Sequence, residues 1–198
     1  MRTLVLASTS PYRRKLLRQL GLPFLVASPR FSEELDQNVA PELLVKHLAT
    51  EKAKSLVELY PDALIIGADQ VFVDQRGRVI GKPGTVEQAI RQLKGMVGRT
   101  HTFYTGLCVV DSRSNQLVAD FDTFNVTLRN LSDAEIETYV KRESPIDCAG
   151  SFKIEGLGIA LMQEMSGQDY NSLIGLPLIK LIDILEQFSL HPLLTVLS

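Results

Sequence analysis

The chain has 198 residues, 45% of them hydrophobic and 22% charged, with 21 basic against 23 acidic side chains. That length suits one domain, or two small lobes, with ample material for a core, and the apolar fraction excludes disorder. A net charge of −2 excludes a polybasic nucleic-acid or membrane binder, and two cysteines, Cys108 and Cys148, exclude a disulfide scaffold.

Residues 3–7 read as a short buried strand. Residues 11–20 read as a helix, with Ser10 as N-cap, Pro11 at the first helical position and Gly21 closing it. A second strand is expected at 24–27, and a long amphipathic helix at 41–60, opened by Pro41 and stopped before Pro61. Residues 63–74 form an apolar, β-branched strand that turns back through 74–77 into 78–80. Thr85 caps a helix reaching about Leu93, and two strands follow at 100–111 and 116–128. Ser132 and Glu135 make a capping box for a helix to Arg142. Glycine-rich strands are expected over 147–162, and a last helix over 177–188. The expected fold class is α/β, a mixed α+β arrangement of helices layered on a central sheet. The whole chain, 1–198, reads as one domain. The apolar run in MRTLVLAS is too short for a secretory signal, and no stretch approaches membrane-spanning length. The expectation is a soluble, cytoplasmic protein without nucleic-acid or membrane partners.

Polar groups in positions that burial should forbid mark the chemistry. Lys52 lies on the apolar stripe of Val45, Leu48, Leu56 and Leu59. There it either snorkels to the surface or meets an anion, since an unpaired buried ammonium is expensive. Lys54 faces elsewhere, with Glu58 at helical pairing distance. Asp69 interrupts an otherwise buried strand, so it needs a cation, a metal or several N–H donors. The alternative is an aspartate at a strand end or beside a bulge at Gly67, which the resumption of the apolar run after Gln70 disfavours. Between the first strand and helix, residues 8–15 offer hydroxyls and an arginine fork near a helix N-terminus, which suits phosphate. Taken alone, that segment reads as an ordinary capped helix with a solvated basic face. Lys82 stands in Gly-Lys-Pro-Gly, which is not a P-loop, and no G-x-G-x-x-G, G-x-S-x-G, C-x-x-C or H-x-x-x-H is present. His47, His101 and His191 show no spacing that implicates them.

Together these segments resemble the Maf family of nucleoside triphosphate pyrophosphatases. The resemblance runs through LASTSPYRR at 6–14, Glu33, EKA at 51–53, GADQV at 67–71, GKP at 81–83, TFYTG at 102–106, CAGSFKIEG at 148–156 and GLPL at 175–178. It implies an elongated mixed sheet with flanking helices, two lobes around a central nucleotide cleft (an ITPase-like fold), and homodimers in many members. It also implies hydrolysis between the α and β phosphates with a divalent metal cofactor, magnesium or manganese. Carried onto this sequence, it makes Asp69 the proton acceptor and Glu33 and Asp69 the metal ligands. Ser8, Arg13, Lys52 and Lys82 become the phosphate-binding set. The Asp-Glu pair usual in the family's loop is Ser32-Glu33 here.

Tyr12, Gln70 and Glu155 stand where the family's dTTP/UTP-cleaving branch has arginine, threonine and glutamine. Gln70 and Glu155 resemble instead the branch that cleaves 7-methyl-GTP, which has tryptophan where Tyr12 stands, so that the aromatic is retained but not the residue. Chemistry agrees, because N7-methylation makes guanine cationic and favours an aromatic face and a carboxylate near the base. The expected activity is therefore conversion of 7-methyl-GTP to 7-methyl-GMP and pyrophosphate, a housecleaning reaction on a small-molecule nucleotide. The alternatives are a dTTP/UTP pyrophosphatase of the same family and a non-catalytic nucleotide-binding regulator of cell division.

Overall fold

The computed structural model describes residues 2–31 and 39–194. Its elements run β1 (Thr3–Ala7), α1 (Pro11–Leu17), β2 (Leu25–Ala27), α2 (Pro41–Lys54), β3 (Ala63–Val73), β4 (Val79–Ile80), α3 (Val86–Met96), β5 (Thr100–Asp111), β6 (Leu117–Leu128), α4 (Asp133–Glu143), β7 (Met162–Gly167), α5 (Tyr170–Ile174) and α6 (Leu178–Gln187). The seven strands form one mixed sheet in the order β2-β1-β3-β5-β6-β7, with β4 paired to β3. The fold class is mixed α/β, as expected. No described helix is long and apolar enough to cross a membrane.

The chain divides into two compact units. The first takes the residues up to Gln70, 104–122, and those from Asp169 onward; the second takes 71–103 and 123–168. Strands β3, β5 and β6 each change unit partway along their length.

In the first unit β1 runs parallel to both β2 and β3, with Ala7 opposite Gly67. Strand side chains alternate between faces. Leu4, Leu6, Leu64 and Ile66 pack with Leu16 and Leu17 of α1 and Leu181 and Leu185 of α6. Val5, Ala63 and Ile65 pack with Ala49 and Ala53 of α2. Both faces are thus covered, which is why these strands read as unbroken apolar runs.

Helix α2 sits against the sheet at two glycines. A β-carbon on Gly67 would lie 2.0 Å from the Ala49 carbonyl oxygen, and one on Gly106 would lie 2.1 Å from that of Val45. The glycine in β3 therefore marks a helix touching a strand rather than a bulge. Gly67→Ala is expected to cost at least ~1–3 kcal/mol, because only backbone can give way. It should also weaken activity by lifting α2 off the sheet. A urea melt beside a turnover assay checks both, and wild-type stability would show that α2 relaxes without strain.

Helix α2 ends six residues before the expected boundary. The Ser55 hydroxyl donates to the Lys52 carbonyl at 2.8 Å, and the chain tightens into a 3₁₀ turn at Val57–Leu59. Leu59 is consequently exposed, while Val45, Leu48 and Leu56 are fully buried.

In the second unit Phe72, Phe103 and Phe152 interlock, with ring centroids 4.6 to 5.7 Å apart. The strands expected over 147–162 do not form. Gly150 has φ 75°, and a β-carbon there would lie 2.8 Å from the Phe72 ring. The segment is therefore wound into 3₁₀ turns under that ring, and the strand β7 begins only at Met162.

Candidate active site

Ser8 follows β1, is buried, and accepts a hydrogen bond from the Ser10 amide at 3.2 Å through its hydroxyl oxygen. The Ser10 hydroxyl in turn caps α1 by accepting from the Arg13 amide at 3.4 Å. This capped start was legible in the sequence and orients Tyr12 and Arg13. Tyr12 is exposed, and the Arg13 Nε donates to the Gly175 carbonyl at 2.8 Å.

On the α2 face of the sheet, the Lys52 ammonium donates to the Asp69 carboxylate in a buried ion pair. Each of these residues is 7% exposed. Lys52 therefore meets an anion rather than snorkelling. The pairing depends on Gly67, since close approach of α2 brings residue 52 down onto β3 two residues beyond that glycine. Lys54 pairs with Glu51 at 3.5 Å, not with Glu58, because the helix has ended before position 58.

Gln70, next in the strand, points to the other face. Its Nε2 donates to the Thr105 hydroxyl at 2.9 Å and to the Ser172 and Leu173 carbonyls at 2.8 and 3.2 Å. Thr105 also donates to the Ser172 carbonyl, and the Ser172 hydroxyl donates to the buried Asp122 carboxylate. Gln70 therefore holds the one-turn helix α5, whose C-cap Gly175 carries the Arg13 contact. Asp169 fixes the same turn from its N-terminal side. Its carboxylate accepts from the Asn171 amide at 2.8 Å and from the Ile179 amide at the start of α6 at 2.9 Å. Sequence reasoning missed Thr105, Asp122, Asp169 and Ser172. Only Asp169, an N-cap residue type ahead of a helix, left a local signal.

In the second unit Lys82 and Glu155 are both exposed. Glu155 stands on a tight turn, in which the Gly156 and Gly158 amides donate to the Lys153 carbonyl at 3.2 and 3.0 Å. Helix α4 anchors that turn. The Tyr139 hydroxyl accepts from the Lys153 amide at 2.9 Å, and the Glu143 carboxylate accepts from the Leu157 amide at 3.0 Å. Burial pushes the Tyr139 phenol up to about 12, so it remains a neutral hydroxyl. Burial, followed by the neighbouring Asp147, pushes the Cys148 thiol up to about 11, which excludes it as a nucleophile at neutral pH. Glu33 lies outside the described residues.

Lys52→Ala is expected to raise KM or lower kcat for triphosphates roughly 10-fold or more, on the scale of a lost charge-assisted hydrogen bond. Lys54→Ala, which removes only an exposed helical pair, should leave both unchanged. Wild-type kinetics in a folded Lys52→Ala protein would reduce the ion pair to a packing feature.

The sequence profile of the family described as Maf-like protein matches residues 3–188. A protein of Syntrophotalea carbinolica named 7-methyl-GTP pyrophosphatase is 63% identical over 193 residues, 98% of each chain. A protein of the same name from Colwellia psychrerythraea is 48% identical over 193 residues, 98% of this chain and 96% of its own. Similar solved structures include the Ham1 protein of Staphylococcus aureus, 14% identical with TM-score 0.46 over 79% of this chain and 89% of that one. Another is a HAM1 protein of Coxiella burnetii, 13% identical with TM-score 0.48 over 81% and 91%.

Proposed function

The chain belongs to the Maf family, and from that premise we propose that it is a nucleoside triphosphate pyrophosphatase converting 7-methyl-GTP to 7-methyl-GMP and pyrophosphate. The observation that carries the reading is 63% identity, across 98% of both chains, to a protein named for that activity.

Hydrolysis forms a bond from a water oxygen to phosphorus and breaks the α–β bridging P–O bond. One proton leaves the water, and negative charge builds on the departing pyrophosphate. We assign the proton to the Asp69 carboxylate, whose position is fixed by the Lys52 ammonium. The growing phosphate charge is assigned to Lys52, Arg13, Lys82 and the Ser8 hydroxyl. Both roles suit groups held still in advance, and Lys52 is held by its carboxylate and by burial.

No group of three metal-ligating side chains occurs among the described residues. That donor set does not make a protein-only cage. It does fit magnesium or manganese held by one or two carboxylates together with substrate phosphates. Asp69 would then hold the ion, joined by Glu33 on the strength of the family resemblance. Such an ion supplies neutralisation of phosphate charge.

Base choice is assigned to Tyr12, Gln70 and Glu155. Glu155 offers two acceptors to the N1–H and the N2 amine of guanine, and Tyr12 offers an aromatic face to a cationic ring. The donor atoms of Gln70 are committed to Thr105, Ser172 and Leu173, so it contributes through its Oε1 and the turn it holds. The same reading carries a cytoplasmic location, removal of modified nucleotides, and a single functional domain that assembles as a homodimer.

The test is kcat/KM for 7-methyl-GTP, GTP, dTTP and UTP with pyrophosphate detected. The expected order places 7-methyl-GTP first. Preference for dTTP or UTP would reassign the branch, and absence of turnover on all four would favour a nucleotide-binding regulator.

A further inference from the structure

Two loops of the second unit carry side chains assigned to the substrate. Residues 81–84 carry Lys82 and residues 147–158 carry Glu155. Gln92, on α3, is bonded to both loops. Its Nε2 donates to the Gly81 carbonyl at 3.2 Å, and its Oε1 accepts from the Ser151 hydroxyl. One planar amide thus places its donor on one loop and its acceptor on the other. The first loop also meets, through backbone, the residue just ahead of the second, with the Gly84 amide donating to the Ile146 carbonyl at 2.9 Å.

The Ser151 end of this link holds a conformation that does not hold itself. Ser151 is fully buried with φ 62°, directly after Gly150 at φ 75°. A left-handed non-glycine residue persists only where its surroundings fix it. The Gln92 amide is the partner of its hydroxyl. Four residues further on, the same chain presents Glu155. On the other side, Gly81 is the residue immediately before Lys82. Helix α3 gives the amide a rigid mount, since Ala89, Leu93 and Met96 bury its apolar face.

We propose that Gln92 is a positioning residue that couples Lys82 to Glu155, so that phosphate binding and base selection are set through one side chain. The proposal rests on the reading of those two residues as substrate contacts. It separates two effects that a bare structural role would not separate. Gln92→Ala loses both bonds. Its KM should rise about 3- to 10-fold for every triphosphate, and its preference for 7-methyl-GTP over GTP should fall by a similar factor. Gln92→Glu still accepts from Ser151 but faces the Gly81 carbonyl without a donor. KM should rise while the base preference stays. Ser151→Ala removes only the other bond, so preference should fall, with KM for 7-methyl-GTP rising more than KM for GTP.

Steady-state kinetics of these three variants on 7-methyl-GTP and GTP test the proposal, with Lys82→Ala and Glu155→Gln measured alongside. If the latter two shift KM and preference while all Gln92 and Ser151 variants match wild type, the coupling is overturned and the substrate reading stands. If Gln92 variants lose only melting temperature, or lose kcat with KM and preference unchanged, the coupling is likewise overturned. Silence of Lys82→Ala and Glu155→Gln overturns the substrate reading and the coupling with it. Should Gln92→Ala fail to fold, the opposed effects of Gln92→Glu and Ser151→Ala decide.

Discussion

Asp69→Asn is expected to lower kcat by about 10²- to 10⁴-fold, the range for loss of a positioned base, with a larger fall if a metal is lost too. The carboxylate is the group that would take the proton from water, and an amide does not accept that proton. The substitution keeps the size of the side chain and one oxygen acceptor for the Lys52 ammonium. It removes the negative charge from a pair whose members are each only 7% exposed. Breaking a buried pair by removing one partner typically costs ~3–5 kcal/mol, and the retained oxygen should hold the loss below that range. The variant should therefore fold, with a lower melting temperature and almost no turnover. Single-turnover kinetics together with circular dichroism separate the two effects. Near-neutral activity in a folded Asp69→Asn protein would remove Asp69 from the mechanism.

Glu155→Gln should lower kcat/KM for 7-methyl-GTP by roughly 30- to 1,000-fold, corresponding to about 2–4 kcal/mol of pairing lost once the bound base covers the carboxylate. The glutamine replaces two acceptors by one acceptor and one donor, so a guanine edge loses a bond and a methylated ring loses its charge partner. Folding should be nearly untouched, because Glu155 is exposed and its turn is built by other groups, the Lys153 carbonyl, Tyr139 and Glu143. Pyrimidine triphosphates should suffer less. An equal fall across 7-methyl-GTP, GTP, dTTP and UTP would assign Glu155 to folding or catalysis. Exchange of Tyr12, Gln70 and Glu155 together for Arg, Thr and Gln should tilt preference toward dTTP or UTP. The exposed Tyr12 and Glu155 tolerate that exchange, whereas Gln70→Thr also releases the 172–173 carbonyls and should add a stability loss.

What the sequence by itself determined are the features set by bonds between near neighbours. Ser10 with Pro11, Thr85, and Ser132 with Glu135 cap helices within three residues of themselves, and all three caps form. The strands at 3–7 and 100–111 have the bounds expected of them. The misplaced polarity of Lys52 and Asp69 was equally visible, because burial of charge is unfavourable whatever the fold. Their pairing was not visible. The two are 17 positions apart, and they meet because Gly67 lets α2 approach β3 to backbone contact. The strand period then sends Asp69 toward α2 and Gln70 toward the 172–175 turn, which gives adjacent residues separate tasks. Residues 147–161 misled because glycines and apolar side chains there resemble a strand, while the left-handed Gly150 winds them under Phe72, on a strand far earlier in the chain. Gln92, Thr105, Asp122 and Ser172 carry no local signal at all, since the partners named above lie 11 to 102 residues away. A hydrogen bond across such a span exists only once the tertiary structure has brought its two ends within 3 Å or so, and no local propensity encodes that distance.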